Sequence, residues 1–581
     1  MYCEAGSAQD SQKLYQMKTR KQMIRNKEEM NMATVGIDLG TYFSSVAAVM
    51  TTDGKAEVIM NKDGTKATHS VVSFPSEKET LVGNIAFESC FLYPNVTVKE
   101  TKRLIGREKT AITVRGTSYS PQEISALILK SLCSDVEREL DEPVDQAVIT
   151  VPAAFDSTQR AATLEAAKLA GIDKVLGLAE EPLAALVANG NLSGYVGKTV
   201  AVVDVGGGTA DGCTVKVEKD ENGKIVLNCI CIVGDTHLGG VDFDRALYEY
   251  ILKKDFTGVS LNAEEKIELE AKVEIAKRKL SEKLEVEFKV MVGGQRQKIH
   301  LTRKEFEEAV AEPLERVQKF LDEMKAYKIP DCVILCGGTT RIPKIEAMIR
   351  ETFQGIPVGG ENRELAVAEG AAILAQMYAN GADQAVFDKA NMDVGKGAGN
   401  TGDDQTEDGQ TDKGENGSGE NGSDQDSTQM DLIPVKLNMV CSRSYGIGAF
   451  VHADKIMVCN VIFRNEAVPT VRETHSFVTS KDGMSECDFP IYESTGNERY
   501  VELSEAEKIG MCTLKIKGNL PKGTPLFVRV EAGIDGVLHF TGREESGNTE
   551  ITAEFKTKTL LTEEELETAK QVVDDVYAKV V

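Results

Sequence analysis

Positive charge is what this sequence has too little of. Its 581 residues carry 67 Lys and Arg against 92 Asp and Glu, a formal net charge of −25. A uniformly acidic surface offers little basic footprint for phosphate backbones, which disfavours nucleic acid and anionic membranes, so neither is expected as a partner. No apolar run approaches the ~20 residues that a membrane-spanning helix needs. The first 31 residues are polar and charged and lack the apolar core of a secretory signal, so 1–32 reads as a disordered extension. The twelve cysteines lack metal-ligand spacing: neither Cys229-x-Cys231 nor Cys332-x-x-x-Cys336 has a second pair at zinc spacing. Buried thiols in a reducing, cytoplasmic compartment are the expectation. A P-loop is missing too. Gly197-Lys198-Thr199 looks like the end of one, but Leu192 stands where glycine is needed, and a strand follows instead of a helix.

What is present begins with a hydrophobic content of 41%, enough for a large core. Two stretches match each other. Val35-Gly36-Ile37-Asp38-Leu39-Gly40-Thr41 and Val202-Val203-Asp204-Val205-Gly206-Gly207-Gly208-Thr209 each run an apolar strand into aspartate, glycine and threonine. Apolar alternation then resumes at Ser45–Val49 and Cys213–Val217, which predicts two glycine-turn hairpins. Glycine lets the backbone approach a ligand closely, and turn amides can point at anionic oxygens. An aspartate at the strand end would repel a bare phosphate, so it fits a site that also holds a cation such as Mg²⁺. Two such turns suggest two lobes gripping one phosphate chain.

Along the chain, 33–380 alternates strands (147–151, 200–205, 331–335) with helices (157–169, 263–284), an α/β pattern. Residues 391–430 hold ten Asp and Glu against two Lys, with nine Gly, and 381–430 reads as a disordered acidic linker. From Asp431 the period drops to two, with strands at 455–463, 487–492, 512–516 and 526–531 separated by turn residues. That predicts a β-sandwich over 431–558. At the end, 559–581, a helix follows a capping box, Thr562-x-x-Glu565, with Leu566, Val572, Val573 and Val576 apolar.

The two turns, Gly234-Asp235-Thr236-His237-Leu238-Gly239-Gly240, Gly337-Gly338-Thr339-Thr340-Arg341 and Lys102-Arg103-Leu104-Ile105-Gly106-Arg107 closely resemble the heat-shock protein 70 (DnaK-type) chaperones. So do Thr150-Val151-Pro152-Ala153-Ala154-Phe155 and Glu180-Glu181-Pro182-Leu183. The resemblance covers 33–378 strongly and 431–570 more loosely. It implies an actin-like (ribonuclease H-like, duplicated) ATPase domain followed by a β-sandwich and a short C-terminal helix. Its implied catalytic set is Asp38, Glu181, Asp204 and Thr209, with Asp38 and Asp204 holding Mg²⁺ through its waters. Gly40, Thr41, Tyr42, Gly206, Gly207, Gly208 and Thr209 would cradle the phosphates of ATP or ADP. Glu274, Lys277, Arg278 and Ser281 stand at i, i+3, i+4 and i+7 of one helix face. Spacing alone reads as a solvated charged face. The resemblance makes the four an adenosine site, closed by Gly337, Gly338, Arg341 and Glu364, the last where the family has aspartate. Pro152, Arg160, Asp431 and Leu432 match positions that couple nucleotide state to peptide binding; for Pro152 a simple strand end is the other reading.

The chain also departs from the family. Phe87 falls where the family has a lysine beside the terminal phosphate, and a phenyl ring cannot donate to it, so slow hydrolysis is expected and no catalytic lysine is assigned. The acidic tract stretches the normally short interdomain tether, and most of the family's helical lid is missing, so weaker coupling and fast peptide release are expected. The leading expectation is an ATP-dependent chaperone of apolar, unfolded peptide segments, served by a J-domain co-chaperone and a nucleotide exchange factor. A nucleotide-gated holdase or adaptor with little turnover is the alternative. A filament former or sugar kinase is a third reading, against which the β-sandwich argues.

Overall fold

The two glycine-turn hairpins seed two sheets of one design. In a computed structural model of the chain, the described residues are 32–50, 55–189, 192–360, 363–380, 435–452, 455–533, 538–544, 550–552 and 560–581. The expected extension and acidic linker, with Asp431 and Leu432, lie outside them. In the first lobe β1 (Ala33–Asp38), β2 (Phe43–Val49), β3 (Ala56–Val58), β4 (Val144–Val151) and β5 (Lys174–Glu180) run in the order β5-β4-β1-β2-β3. In the second, β6 (Thr199–Val205), β7 (Ala210–Lys219), β8 (Ile225–Asp235), β9 (Cys332–Cys336) and β10 (Val358–Gly359) run β10-β9-β6-β7-β8. In both, the hairpin pair and the strand after it are antiparallel, and the last two strands named add in parallel. Asp38 pairs with Ser45 in the first hairpin and Asp204 with Asp211 in the second, so both aspartates end their strands beside the turn.

Helices cover the sheets, as parallel strands require. In chain order the ones that matter here are α1 (Ser157–Ala170), α2 (Glu181–Ala188), α3 (Gly240–Asp255), α4 (Ala263–Glu282), α5 (Ala366–Ala379) and α6 (Glu563–Tyr577). Strand β6 is buried on both faces. Ala201, Val203 and Val205 join Phe243, Leu247, Val273 and Leu280 of α3 and α4. Val200 and Val202 face the other way, onto Leu183 and Leu186 of α2 and Leu374 of α5. The two alanine-rich helices α2 and α5 thus fill the space between the sheets. Each fully buried branched side chain in these layers contributes roughly 1.5–3 kcal/mol.

After the undescribed tract, β11 (Val435–Asn438) adds to the second lobe's sheet, parallel to Ile225–Asn228 of β8. Beyond it two antiparallel sheets face each other. One runs Tyr500–Glu502, Lys455–Ile462, Ser444–His452, Met484–Ser494, Ala506–Leu520; the other runs Thr470–Val478, Pro525–Ala532, Leu538–Glu544, Glu550–Thr552. Ile447, Ile491 and Leu514 of the first share a core with Leu526, Val528 and Phe540 of the second. Helix α6 returns to the first lobe, where Ala569, Val573 and Val576 are buried. Among the described residues no helix is long and apolar enough to cross a membrane.

Candidate functional site: a carboxylate-floored cleft between the lobes

The two hairpin turns face each other across a cavity of about 800 Å³. Asp38, Gly40, Thr41 and Tyr42 line it from the first lobe, and Asp204, Gly206, Gly207, Gly208 and Thr209 from the second. The turns touch: a Cβ on Gly208 would lie 2.4 Å from the Thr41 side chain, and one on Gly207 2.7 Å from Tyr42 Cβ. Glycine is required there because the lobes close backbone to side chain. The second turn is braced from behind. Gly240 N and Val241 N, at the start of α3, donate to Gly206 O and Gly207 O at 3.0 and 2.9 Å, and Thr339 Oγ1 donates to Gly206 O at 2.7 Å.

The cavity floor is strongly anionic. Asp38, Glu181 and Asp204 line it, and Asp211 lies buried beside them. Burial, and then the charge of Glu181, raises the Asp38 carboxyl to about 7, with Thr150 Oγ1 donating to Oδ1 at 3.1 Å. Burial and Glu181 raise Asp211 to about 7 as well. Asp204 is pushed well above the carboxylate range, first by burial and then by Glu181 and Asp211. Among the described residues Asp211 Oδ2 has no hydrogen-bond partner. Buried carboxylates crowded like this resist ionisation until a cation joins them, which fits a divalent ion at the ends of β1 and β6.

At the other end, Glu274, Lys277, Arg278 and Ser281 line the cavity together from α4, with Gly337, Gly338, Arg341 and Glu364 opposite. Tyr42 Oη donates across the cleft to Glu274, which also pairs with Arg278 at 2.7 Å. Lys277 pairs with Asp244 at 2.6 Å and donates to Gly240 O at 2.9 Å. Arg341 Nε donates to Glu364 at 3.0 Å. Gly337, at φ 75°, leaves room for Asp204 Oδ1, which a Cβ there would approach to 2.3 Å.

Pro152 is buried where β4 ends, and its carbonyl accepts from Phe155 N at 3.0 Å. Arg160, buried on α1, donates to Glu180 at 2.9 Å and lines a small cavity with Met439, Val440, Cys441 and Tyr445. It therefore sits between the first lobe and the β region. Phe87, in the short helix Asn84–Glu88, stacks on His69 at a centroid distance of 3.9 Å and an angle of 8°.

Three residues to which the sequence reading gives no role complete the site. Lys102 Nζ donates to Glu181 inside the cavity. Arg103 forks onto Asp242 (3.1 and 2.5 Å) and donates to Gly208 O at 2.7 Å, tying the lobes. Thr150 steadies Asp38. Lys102, Arg103 and Thr150 all fall inside family-like strings, and that is the only signal that marks them.

A cleft of this kind, with two mirrored carboxylate-led turns, defines a two-lobed protein with a candidate phosphate site. The chain belongs to the Hsp70 family: the sequence model described as Hsp70 protein matches residues 34–113 and 107–395. Among its relatives is Chaperone protein DnaK of Anaplasma marginale, 30% identical over 93% of this chain and 79% of its own length. Chaperone protein DnaK of Thermotoga petrophila and that of Thermotoga maritima are each 31% identical, over 93% of this chain and 83% of theirs.

Proposed function

We propose that the cavity between the lobes binds ATP with Mg²⁺ and turns it over slowly, driving capture and release of peptide by the β region. As a member of the Hsp70 family the protein is an ATP-dependent molecular chaperone that binds unfolded proteins. The division of labour is our own reading: an actin-like nucleotide domain over 33–380, an acidic linker over 381–430, a β-sandwich peptide domain over 431–558 and a helix over 559–581. A holdase without turnover is not favoured. The observation that carries the proposal is the convergence of Asp38, Glu181 and Asp204 with two glycine turns in one cavity.

Asp38 and Asp204 would hold the metal through its waters, and that metal offsets charge on the phosphates. The amides of Gly40, Thr41 and 206–209 receive the phosphate oxygens, with Tyr42 beside them. Glu181 orients the attacking water, and Thr209 lies against the terminal phosphate. Glu274, Lys277, Arg278 and Ser281 hold ribose and base from one side, and Gly337, Gly338, Arg341 and Glu364 close the other. Transfer to water depends mainly on positioning and charge neutralisation, so the uncharged ring of Phe87 keeps turnover slow. Pro152 and Arg160, with Asp431 and Leu432, relay nucleotide state toward the β region; Arg160 lies against residues 439–445. Peptide is captured by main-chain hydrogen bonds and an apolar pocket. A J-domain co-chaperone, a nucleotide exchange factor and a cytoplasmic setting complete the reading.

Calorimetry with MgATP tests it, on the parent and on Asp204→Asn. Tight Mg²⁺-dependent binding by the parent, lost by at least about tenfold in the variant, is expected because one charge of the metal's pair is gone. Hydrolysis stimulated by an unfolded peptide is the second expected result. Tight binding by Asp204→Asn would remove the hairpin assignment.

A further inference from the structure

The cavity has one wall with a single cation. Lys277, Arg278, Arg341 and Arg363 all belong to the second lobe, and each has its own carboxylate: Asp244, Glu274, Glu364 and Glu346. On the first lobe's side, where Asp38 and Glu181 stand, Lys102 is the only lysine or arginine among the described residues that lines the cavity. Its side chain is 6% exposed, and its partner Glu181 is 10% exposed and faces the same space. The pair lies close enough to Asp38 and Asp211 for Lys102 to act on both carboxyls.

A buried ion pair is weak as a stabilising device, because desolvation takes back much of the Coulomb gain. This one is nonetheless held in place with care. Lys102 sits in the turn Thr101–Arg103, next to the arginine that ties the first lobe to Gly208 O and Asp242. Its ammonium lies 5.9 Å from the centroid of the Phe155 ring. A lysine ammonium has three donors, so it can keep Glu181 and still reach an anionic oxygen. Phe87 is not among the residues lining the cavity: it is stacked on His69 and lies edge-on to Tyr42 at 5.9 Å, with Lys99 Nζ, also outside the lining, 5.9 Å from its ring centroid.

We propose that Lys102 contacts the terminal phosphoryl of bound ATP and neutralises the charge that spreads over its oxygens during transfer, carrying the turnover that Phe87 cannot support. This rests on the reading that the cavity holds ATP. In the step, the oxygen of water bonds to the γ-phosphorus as the bond from that phosphorus to the β–γ bridging oxygen breaks. The electron pair of the broken bond stays on ADP, and both protons of water end on inorganic phosphate. Lys102 keeps its own proton throughout and holds Glu181 against the incoming water.

The test uses the full chain with Lys102→Met and Lys102→Arg, measuring single-turnover hydrolysis of γ-labelled ATP beside calorimetric affinities for MgADP and MgATP. Loss of a preorganised charged donor lowers the hydrolysis rate by about 100-fold or more in Lys102→Met, while MgADP affinity stays within about threefold. Lys102→Arg, which keeps the charge, retains more of the rate than Lys102→Met. Hydrolysis by Lys102→Met at the parental rate, with ATP bound, overturns the proposal. An absence of MgATP binding by the parent overturns the reading of the cavity instead. Should Lys102→Met fail to fold, the parent labelled with ¹⁵N at its lysine ammonium groups decides. A buried ammonium resonance that shifts with ADP plus beryllium fluoride, but not with ADP alone, supports the contact; no such difference sinks it.

Discussion

Gly370 has no side chain because Ala184 leaves no space for one. A Cβ built there falls 1.8 Å from the Ala184 carbonyl oxygen, and one on Gly36 falls 1.9 Å from Ala372 N. These two glycines let α5 lie directly on α2 and on β1, between the two sheets. Gly370→Ala therefore has to push two helices apart, and overpacking of this kind costs roughly 3 kcal/mol or more. Thermal unfolding with and without MgADP checks it: the variant melts several degrees lower, and nucleotide recovers only part of the loss. The hairpin aspartates were legible from local pattern, because strand alternation and the glycine turn lie within ten residues of each other. Gly36 belongs to one of those motifs, but its contact with Ala372 does not show there, since partners so far apart in sequence leave no local pattern. Lys102 was hidden for the same reason. Its partner Glu181 is 79 residues away, and only the fold puts the two in one cavity.

Helix α6 shows both sides at the scale of an element. Its start was readable: Thr562 Oγ1 accepts from Glu565 N at 3.2 Å, and Glu565 Oε2 accepts from Thr562 N at 2.9 Å. Its docking surface was not, because an apolar stripe says that a face is buried without saying against what. The helix packs on the first lobe, where Lys130 pairs with Asp574 and Tyr577 Oη donates to Lys130 O at 3.2 Å. Just before the helix, Leu561 N donates to Glu165 Oε1 at 3.0 Å, and Gln122 Nε2 donates to Oε2 of the same residue at 3.0 Å. Burial raises the Glu165 carboxyl to about 7. A carboxyl raised in the folded state favours that state while it keeps its proton. Its contribution is whole below the ordinary value near 4.5 and is lost as pH rises through about 7, a change on the order of 3 kcal/mol. Amide exchange over 560–577, corrected for intrinsic rates, should speed up between pH 5 and 7.5. Glu165→Gln keeps an acceptor for Leu561 N and should flatten that dependence.

For the whole molecule, the arrangement of the β region against the lobes is the chief result. Strand β11 extends the second lobe's sheet, and polar contacts follow it. Ser442 Oγ donates to Phe155 O at 3.3 Å, and Arg443 Nη2 donates to Ala154 O at 2.9 Å, both on the first lobe. Arg464 donates to Ile232 O at 3.0 Å and pairs with Glu323 at 2.8 Å, while Asn465 Oδ1 accepts from Ile232 N at 2.9 Å, all on the second. Arg107 on the first lobe pairs with both Asp156 and Glu507, the latter on the β region. These contacts reach both lobes. Arg443→Ala combined with Arg464→Ala should release the β region, seen as a larger radius of gyration in small-angle scattering. An unchanged radius would show that β11 and the remaining contacts hold the arrangement without these two arginines.

Local pattern determined the strands, the two carboxylate-led turns, the helix caps and the change of period after Asp431. Each of these is set by residues within a few positions of one another. Only the tertiary structure decided that α2 and α5 fill the space between the two sheets, and that β11 and α6 return to the lobes. It also decided that a lysine from a turn far from either hairpin enters the cavity. Those outcomes depend on which buried faces meet and which charges lose water together, and these are set by long-range packing that no short stretch of sequence contains.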